Sequence, residues 1–318
     1  MSRSTTSAFL TRGLEVRSEA DSVLANPLQM ERARQIAVLG MVVSALLAIL
    51  KIVIGRMAHS ASVQADGLES SADVFTAGLV LIGLKLAARP ADENHPYGHG
   101  RVEILTGLLL GFILFCAGCL IAWHGLTGAA DEQHTPAAFA VWPLLISIFA
   151  KFWLVLIKYR HGRQIGSSSL VADASNDGID ILSGVVALTA LSLTLLNPGR
   201  FLRADHYGAF GVGLIVIVTS LRVMHETSAH LMDTMPDDRA MREIRETALG
   251  VQDVAGVEKC FARKTGLKYH VDLHLEVDPN ISVRASHEIA QRVRDRIRQK
   301  LPWVADVLVH VEPRPGLG

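Results

Sequence analysis

ILTGLLLGFILFCAGCLIAW, running from Ile104 to Trp123, holds no charge over 20 residues. A helix rises about 1.5 Å per residue, so a stretch of this length crosses the ~30 Å hydrocarbon layer of a bilayer. Outward from it, Ile36–Gly55 is nearly as apolar with Lys51 near its end, Ala137–Ile157 is interrupted only by Lys151, and Tyr207–Leu221 is uncharged. Two further segments, Ser60–Ala87 and Ser168–Leu196, are apolar in their second halves but carry Asp, Glu and Asn in their first halves. Six spans are expected, two of which a hydropathy scan would underrate.

The composition agrees. Of 318 residues, 50% are hydrophobic and 19% charged, with 31 basic residues balancing 31 acidic ones and a mean hydropathy of +0.31. Soluble domains carry about 25% charged residues, and the shortfall here is confined to the spans. Zero net charge argues against a nucleic-acid partner, which would select a basic patch or stripe. Three cysteines cannot make a disulfide framework. Residues 1–34 are polar and mixed, without a short apolar core and cleavage site, so they read as a cytoplasmic N-terminal segment and not as a cleaved signal peptide.

Six spans put both termini on one side. Lys85, Arg89 and Arg101 flank the second connection and Lys158, Arg160 and Arg163 fill the fourth, whereas the third carries Asp131 and Glu132 without a basic residue. Basic residues mark the cytoplasmic side, so both termini are expected there, in a bacterial inner (cell) membrane. Beyond the transport domain of residues 35–233, residues 234–318 read as soluble. Asp237–Leu249 and Ser286–Leu301 have helical composition, while Val271, Leu273, Leu275 and Val277 alternate with polar residues, as do Val307, Val309 and Val311. Period-2 alternation marks strands with one apolar face. The expected fold is an α-helical membrane protein of six transmembrane helices plus a C-terminal cytoplasmic αββαβ (ferredoxin-like) domain.

The second and fifth spans contain a repeat. ADGLESSAD (Ala65–Asp73) aligns without a gap with ADASNDGID (Ala172–Asp180), so Asp66 matches Asp173, Glu69 matches Asn176, and Asp73 matches Asp180. These offsets share one face of a helix. An ionisable residue at the bilayer centre costs at least ~2.5–3.5 kcal/mol on insertion scales, and several together need compensation. Two readings are open. Lys51 or Lys151 could neutralise the carboxylates; alternatively Glu69, Asp73, Asn176 and Asp180, two from each helix at i, i+4, form a four-ligand divalent cation site. The second is preferred, with a shifted register through Asp173 and Asp177 as its variant.

With these residues in view, the chain resembles the cation diffusion facilitator family of divalent metal/proton antiporters. The likeness covers Ile36–Pro313 and rests on the two aligned stretches, the loop PADENHPYGHG (Pro90–Gly100) and the ending Val307–Pro313. It implies a homodimer with six helices per subunit, a transport site between helices two and five, and a cytoplasmic metal-sensing domain. The family's usual site has His or Asp followed by Asp four residues later in each helix. Here Glu69/Asp73 and Asn176/Asp180 contain no histidine. Oxygen-only sites suit Mn²⁺, Mg²⁺ and Fe²⁺ better than Zn²⁺, so Mn or Fe is expected ahead of Zn. An amide cannot titrate; exchanged protons would ride on Glu69, Asp73 and Asp180.

Asp92, His95 and His99 make a three-ligand set of the kind transition metals accept, and the resemblance places a loop metal site there. His274, His310 and Glu312 lie on the polar faces of two strands, with His270 on the same face as His274; the family places regulatory ligands on these strands and near the position of Glu258. A plain dimer contact is the alternative. Cys116 and Cys119 read as packing thiols, and Gly107, Gly111 and Gly118 as positions of close helix contact. No phosphate-binding loop is present, so ATP-driven transport is not expected.

The chain is therefore expected to be a secondary transporter that exports a divalent cation from the cytoplasm in exchange for protons. It needs no cofactor: the metal (Mn, Fe or Zn) is substrate and regulator, and its partners are a second copy, membrane lipid, cations and protons. The alternative is a transport-inactive, metal-sensing membrane scaffold of the same fold. A membrane metalloenzyme is disfavoured, because the intramembrane cluster has no nucleophile with a base beside it.

Overall fold

In the computed structural model, residues 27–129, 135–165, 168–266 and 268–315 are described. The acidic pair of the third connection, Asp131 and Glu132, and most of the N-terminal segment lie outside them. Six described helices are long and apolar enough to cross a membrane: α1 (Pro27–Met57), α2 (Ala61–Ala87), α3 (Arg101–Gly128), α4 (Val141–Ile165), α5 (Ser168–Leu196) and α6 (Ala204–Leu231). Both segments with polar first halves, α2 and α5, are continuous helices. The chain falls into two compact units: the described residues up to Val74 with Ala117–Val216, and Phe75–Cys116 with the residues from Ile217 onward.

In the first unit, α5 packs on α4, and α1 on α4. Small residues permit close approach: a Cβ at Gly213 would lie 2.6 Å from the Ala122 backbone nitrogen, and one at Gly208 would collide with Ala190. Two buried charges fasten the first half of α2. Asp205, in the first turn of α6, accepts from Ser60 Oγ at 2.9 Å, from the Ala61 amide at 2.6 Å and from Ser62 Oγ. It thus caps the start of α2 from another helix, and a carboxylate is favoured at a helix N-terminus. Reading the sixth span from Tyr207 had left Asp205 outside it. Deeper in, Lys51 of α1, 1% exposed, forms an ion pair with Asp66 of α2 at 2.9 Å and donates to Ser70 Oγ at 2.6 Å.

In the second unit, a Cβ at Gly111 would meet Met224 Cγ at 2.5 Å and one at Gly107 would meet Thr227 at 3.2 Å, so both glycines are positions of close helix contact. Cys116 and Cys119 are exposed, which corrects their reading as thiols packed inside the chain; in a spanning helix that outer side suits lipid. The soluble part runs α7 (Asp238–Leu249), β1 (Gly256–Thr265), β2 (Lys268–Val277), α8 (Val283–Lys300) and β3 (Val304–Pro313). This is the αββαβ order. β2 is central, antiparallel to β1 and parallel to β3. Met241, Ile244 and Ala248 of α7 and Ile289, Val293 and Ile297 of α8 recur at helical spacing and cover the face made by Val271, Leu273, Leu275 and Val277. Burial there raises the Cys260 thiol pKa, which keeps it inert. Asp237 caps α7 by accepting from the Ala240 amide at 2.8 Å. α8 begins three residues before Ser286, because Ser282 accepts from the Ala285 amide at 3.2 Å and supplies the cap. The turn between β1 and β2 rests on the loop after α2: Gly266 has φ +74°, and a Cβ on it would stand 2.9 Å from Gly100 Cα.

Lys51→Met or Asp66→Asn alone should destabilise the membrane unit by roughly 3–5 kcal/mol, since each leaves a buried charge without its partner. The double variant should recover most of that loss. Thermal unfolding in detergent, run as a double-mutant cycle, measures the difference; a double variant as costly as the two singles summed would mean that the pair does not fasten α1 to α2.

Candidate metal centres

The intramembrane carboxylates lie on α2 and α5. Glu69 is 6% exposed and Asp180 7%. Glu69 Oε1 accepts from Ser183 Oγ of α5 at 2.7 Å, while Glu69 Oε2 is buried with no hydrogen-bond partner. Asp73 shares a hydrogen bond with Asp180 across the two helices, and Glu69 lies within electrostatic range of Asp66, Asp73 and Asp180. Asp73 and Asp180 thus meet, with Glu69 close by, although the three do not have ligand atoms all within 4.8 Å of one another. Asn176, one turn before Asp180, is exposed.

Lysines thread this cluster. Lys151 of α4, 3% exposed, reaches Asp180 at 2.5 Å and Asp177 at 2.6 Å and donates to Ser44 of α1 at 2.8 Å. Lys158, one helical stretch further on, reaches Asp177 at 2.5 Å and Asp173 at 2.8 Å. The pairing of Lys51 and Lys151 with carboxylates, the less favoured of the two sequence readings, thus occurs alongside the gathering of Glu69, Asp73 and Asp180. Asp173 and Asp177, the shifted register, are held by lysines. Lys158 was counted with the basic residues of the fourth connection; it is 2% exposed inside α4. No periodicity in one segment identifies these partners. The signal that existed was charge: Asp173 and Asp177 needed cations, and Lys158, Arg160 and Arg163 stood in the stretch just before them.

Among the described residues, two sets of three metal-ligating side chains have ligand atoms within 4.8 Å of one another: Asp92, His95 and His99, and His274, His310 and Glu312. Both were expected. In the loop, Asp92 Oδ1 accepts from the backbone amides of Asn94 at 3.0 Å and His95 at 2.7 Å, an Asx turn that fixes the carboxylate. The His95 side chain lies 3.0 Å from the same oxygen, and His99 Nε2 lies 3.4 Å from Asp92 Oδ2. Hydrogen bonding from His95, side chain first and then backbone, lowers the Asp92 pKa, so the group is an anion at neutral pH. His99 Nδ1 sits 3.2 Å from the Pro90 carbonyl. Donation there leaves Nε2 as the bare nitrogen, the tautomer that a metal requires.

In the soluble domain, the parallel register sets His274 opposite His310 and Glu276 opposite Glu312. The two imidazoles are 5.1 Å apart between centroids, His274 Nδ1 is 2.6 Å from Glu312 Oε1, and His310 Nε2 is 3.6 Å from it. Hydrogen bonds from Glu258 and then His274 lower the Glu312 pKa, which brings Glu258 to the edge of the triad. His270 shares the strand face but is drawn elsewhere: its ring meets Tyr97 of the loop edge-on at 6.0 Å. Burial lowers its pKa, keeping it neutral.

The family model of the Cation efflux transmembrane domain matches residues 37–232, and that of the Cation efflux protein, cytoplasmic domain, matches residues 236–314. Uncharacterized transporter YdbO of Bacillus subtilis is 30% identical over 286 residues, 89% of this chain and 97% of its own length. Manganese efflux system protein MneP of the same organism is 25% identical over 285 residues, 88% of this chain and 96% of its own. Metal tolerance protein C1 of Arabidopsis thaliana is 30% identical over 301 residues, and the chain, matched over 89% of its length, spans 63% of that protein. Among solved structures, MamM-CTD 215-293 shares 30% identity over 24% of this chain and 100% of its own, with a TM-score of 0.24. By the match of its transmembrane and cytoplasmic parts, the chain belongs to the cation efflux, or cation diffusion facilitator, family and is a metal-cation efflux transporter rather than an enzyme.

Proposed function

We propose that the chain exports a divalent cation, Mn²⁺ or Fe²⁺ ahead of Zn²⁺, from the cytoplasm in exchange for protons. The observation that carries this reading is the proximity of Glu69, Asp73 and Asp180 on α2 and α5, with the buried Glu69 Oε2 making no hydrogen bond. Three carboxylates and the Asn176 amide offer only oxygen, the donor that Mn²⁺ accepts readily and Zn²⁺ prefers less. The manganese efflux relative supports the same preference. Carboxylates emptied of metal take up protons and release them on loading, which couples the two fluxes without a titrating group at Asn176. The basic residues beside the second and fourth connections support cytoplasmic termini in a bacterial inner membrane.

The chain acts as a homodimer in this reading, and metal at the two outer triads regulates it. An ion held by His274, His310 and Glu312 favours whichever arrangement of the pair binds it better; Asp92, His95 and His99 offer a second such point. One observation favours the alternative, a transport-inactive metal-sensing scaffold: Lys151 already holds Asp180. Flux separates the two.

In proteoliposomes with an internal metal dye and an imposed pH gradient, Asp73→Ala and Asp180→Ala should each lower Mn²⁺ flux by more than about tenfold with the dimer intact, since losses in the outer sphere alone cost 10- to 100-fold. Wild-type flux in both would refute the site, and no flux in the wild type would favour the scaffold. Asn176→His should raise the Zn²⁺ to Mn²⁺ flux ratio, because imidazole is the better zinc ligand; an unchanged ratio would place Asn176 outside the coordination sphere. In full-length Asp73→Ala protein, adding His274→Ala and His310→Ala should remove one step from a calorimetric Mn²⁺ or Zn²⁺ titration. An unaltered isotherm would leave that sheet face as a plain protein contact.

A further inference from the structure

We propose that Lys151 is the resident counter-cation of the transport site: its ammonium holds Asp180 while the metal is absent and withdraws onto Asp177 and Ser44 as the metal enters. This rests on the assignment of Glu69, Asp73 and Asp180 as the metal site. Of the three buried lysines in the cluster, Lys51 pairs with Asp66, and Lys158 with Asp173 and Asp177. Lys151 pairs with a proposed ligand, at 2.5 Å from Asp180 Oδ2.

Its geometry supplies both positions of such an exchange. The Lys151 ammonium donates to Asp177 Oδ1 at 2.6 Å and Ser44 Oγ at 2.8 Å and is ion-paired with Asp180. Asp177 and Asp180 are three residues apart on one helical face, so a small swing of a flexible four-carbon stem releases Asp180 while both hydrogen bonds persist. A divalent ion bonds to a carboxylate oxygen at about 2.0–2.2 Å. It cannot share Asp180 Oδ2 with an ammonium in hydrogen-bond contact without strong like-charge repulsion in a dry site. The lysine therefore competes with the metal, weakens its binding and speeds its release, which a transporter needs as much as capture. Lys151 is a positioning residue, since it acts through Asp180.

The test is Mn²⁺ binding by equilibrium dialysis to the full-length protein, read with flux in proteoliposomes. Lys151→Met should bind Mn²⁺ at least about tenfold more tightly, from the loss of one nearby like charge, while its maximal flux falls; Lys151→Arg should stay near wild type in affinity. A merely structural lysine would give weaker binding on removal. Asp177→Asn, which takes away the withdrawn position, should weaken Mn²⁺ binding and keeps the test open if Lys151→Met does not fold. Unchanged or weaker affinity in folded Lys151→Met, or unchanged or tighter affinity in Asp177→Asn, overturns the proposal. Asp73→Ala in the same dialysis separates the two levels: if it binds Mn²⁺ like wild type, the site assignment itself has failed.

Discussion

A charge removed from water into a bilayer must find its opposite within a few ångströms, and that requirement organises the whole membrane unit. Six carboxylates on α2 and α5 face three lysines from α1 and α4. Ion pairs of this kind add little net stability over well-packed apolar residues, but removing one member is costly. They specify which helix lies beside which. Asp66 selects α1, and Asp173, Asp177 and Asp180 select α4. Carboxylates outnumber lysines six to three, and the buried Glu69 Oε2 makes no hydrogen bond. The same bookkeeping that fixes the helices leaves a deficit of positive charge at one place, where a metal cation or protons can supply it.

The two outer triads answer a different problem. In water a carboxylate and two imidazoles need no compensation, so their clustering is a matter of backbone geometry. An Asx turn sets Asp92 under His95 and His99, and the parallel register of β2 and β3 sets His274 beside His310. Nitrogen donors dominate outside the membrane and oxygen donors inside it. Ions of different softness would therefore rank the two kinds of donor set differently.

The spans, the αββαβ order and the grouping of Glu69, Asp73 and Asp180 were legible because each depends on spacing within one segment or on a repeat between two. Both triads were legible for the same reason: three or four residues of one loop, and matched alternation in two strands. Partners from other helices were legible only in part: Lys51 and Lys151 stood out as charges inside spans and do pair with carboxylates, but others did not. Asp205 capping α2, Ser183 bonding Glu69 and Lys158 buried beside Asp177 depend on which helix turns which side toward its neighbour, and periodicity names a face without naming what meets it. Lys158 also lay past the end of the apolar stretch, so the pattern placed it in a loop that α4 extends through. His270 shared a strand face with His274, yet its ring is taken by Tyr97, a contact between segments far apart in the chain.

The contact of Gly266 with Gly100 has a mechanical meaning. Two glycines with no room for a Cβ between them make a bearing without slack: the hairpin tip of the sheet touches the chain one residue before α3 begins. Arg101, the first residue of α3, is further tied to Asp233 beyond the end of α6 at 3.1 Å. A tilt of the sheet would thus bear on the adjoining ends of two spanning helices as a push, and the loop that carries Asp92, His95 and His99 leads into the same contact.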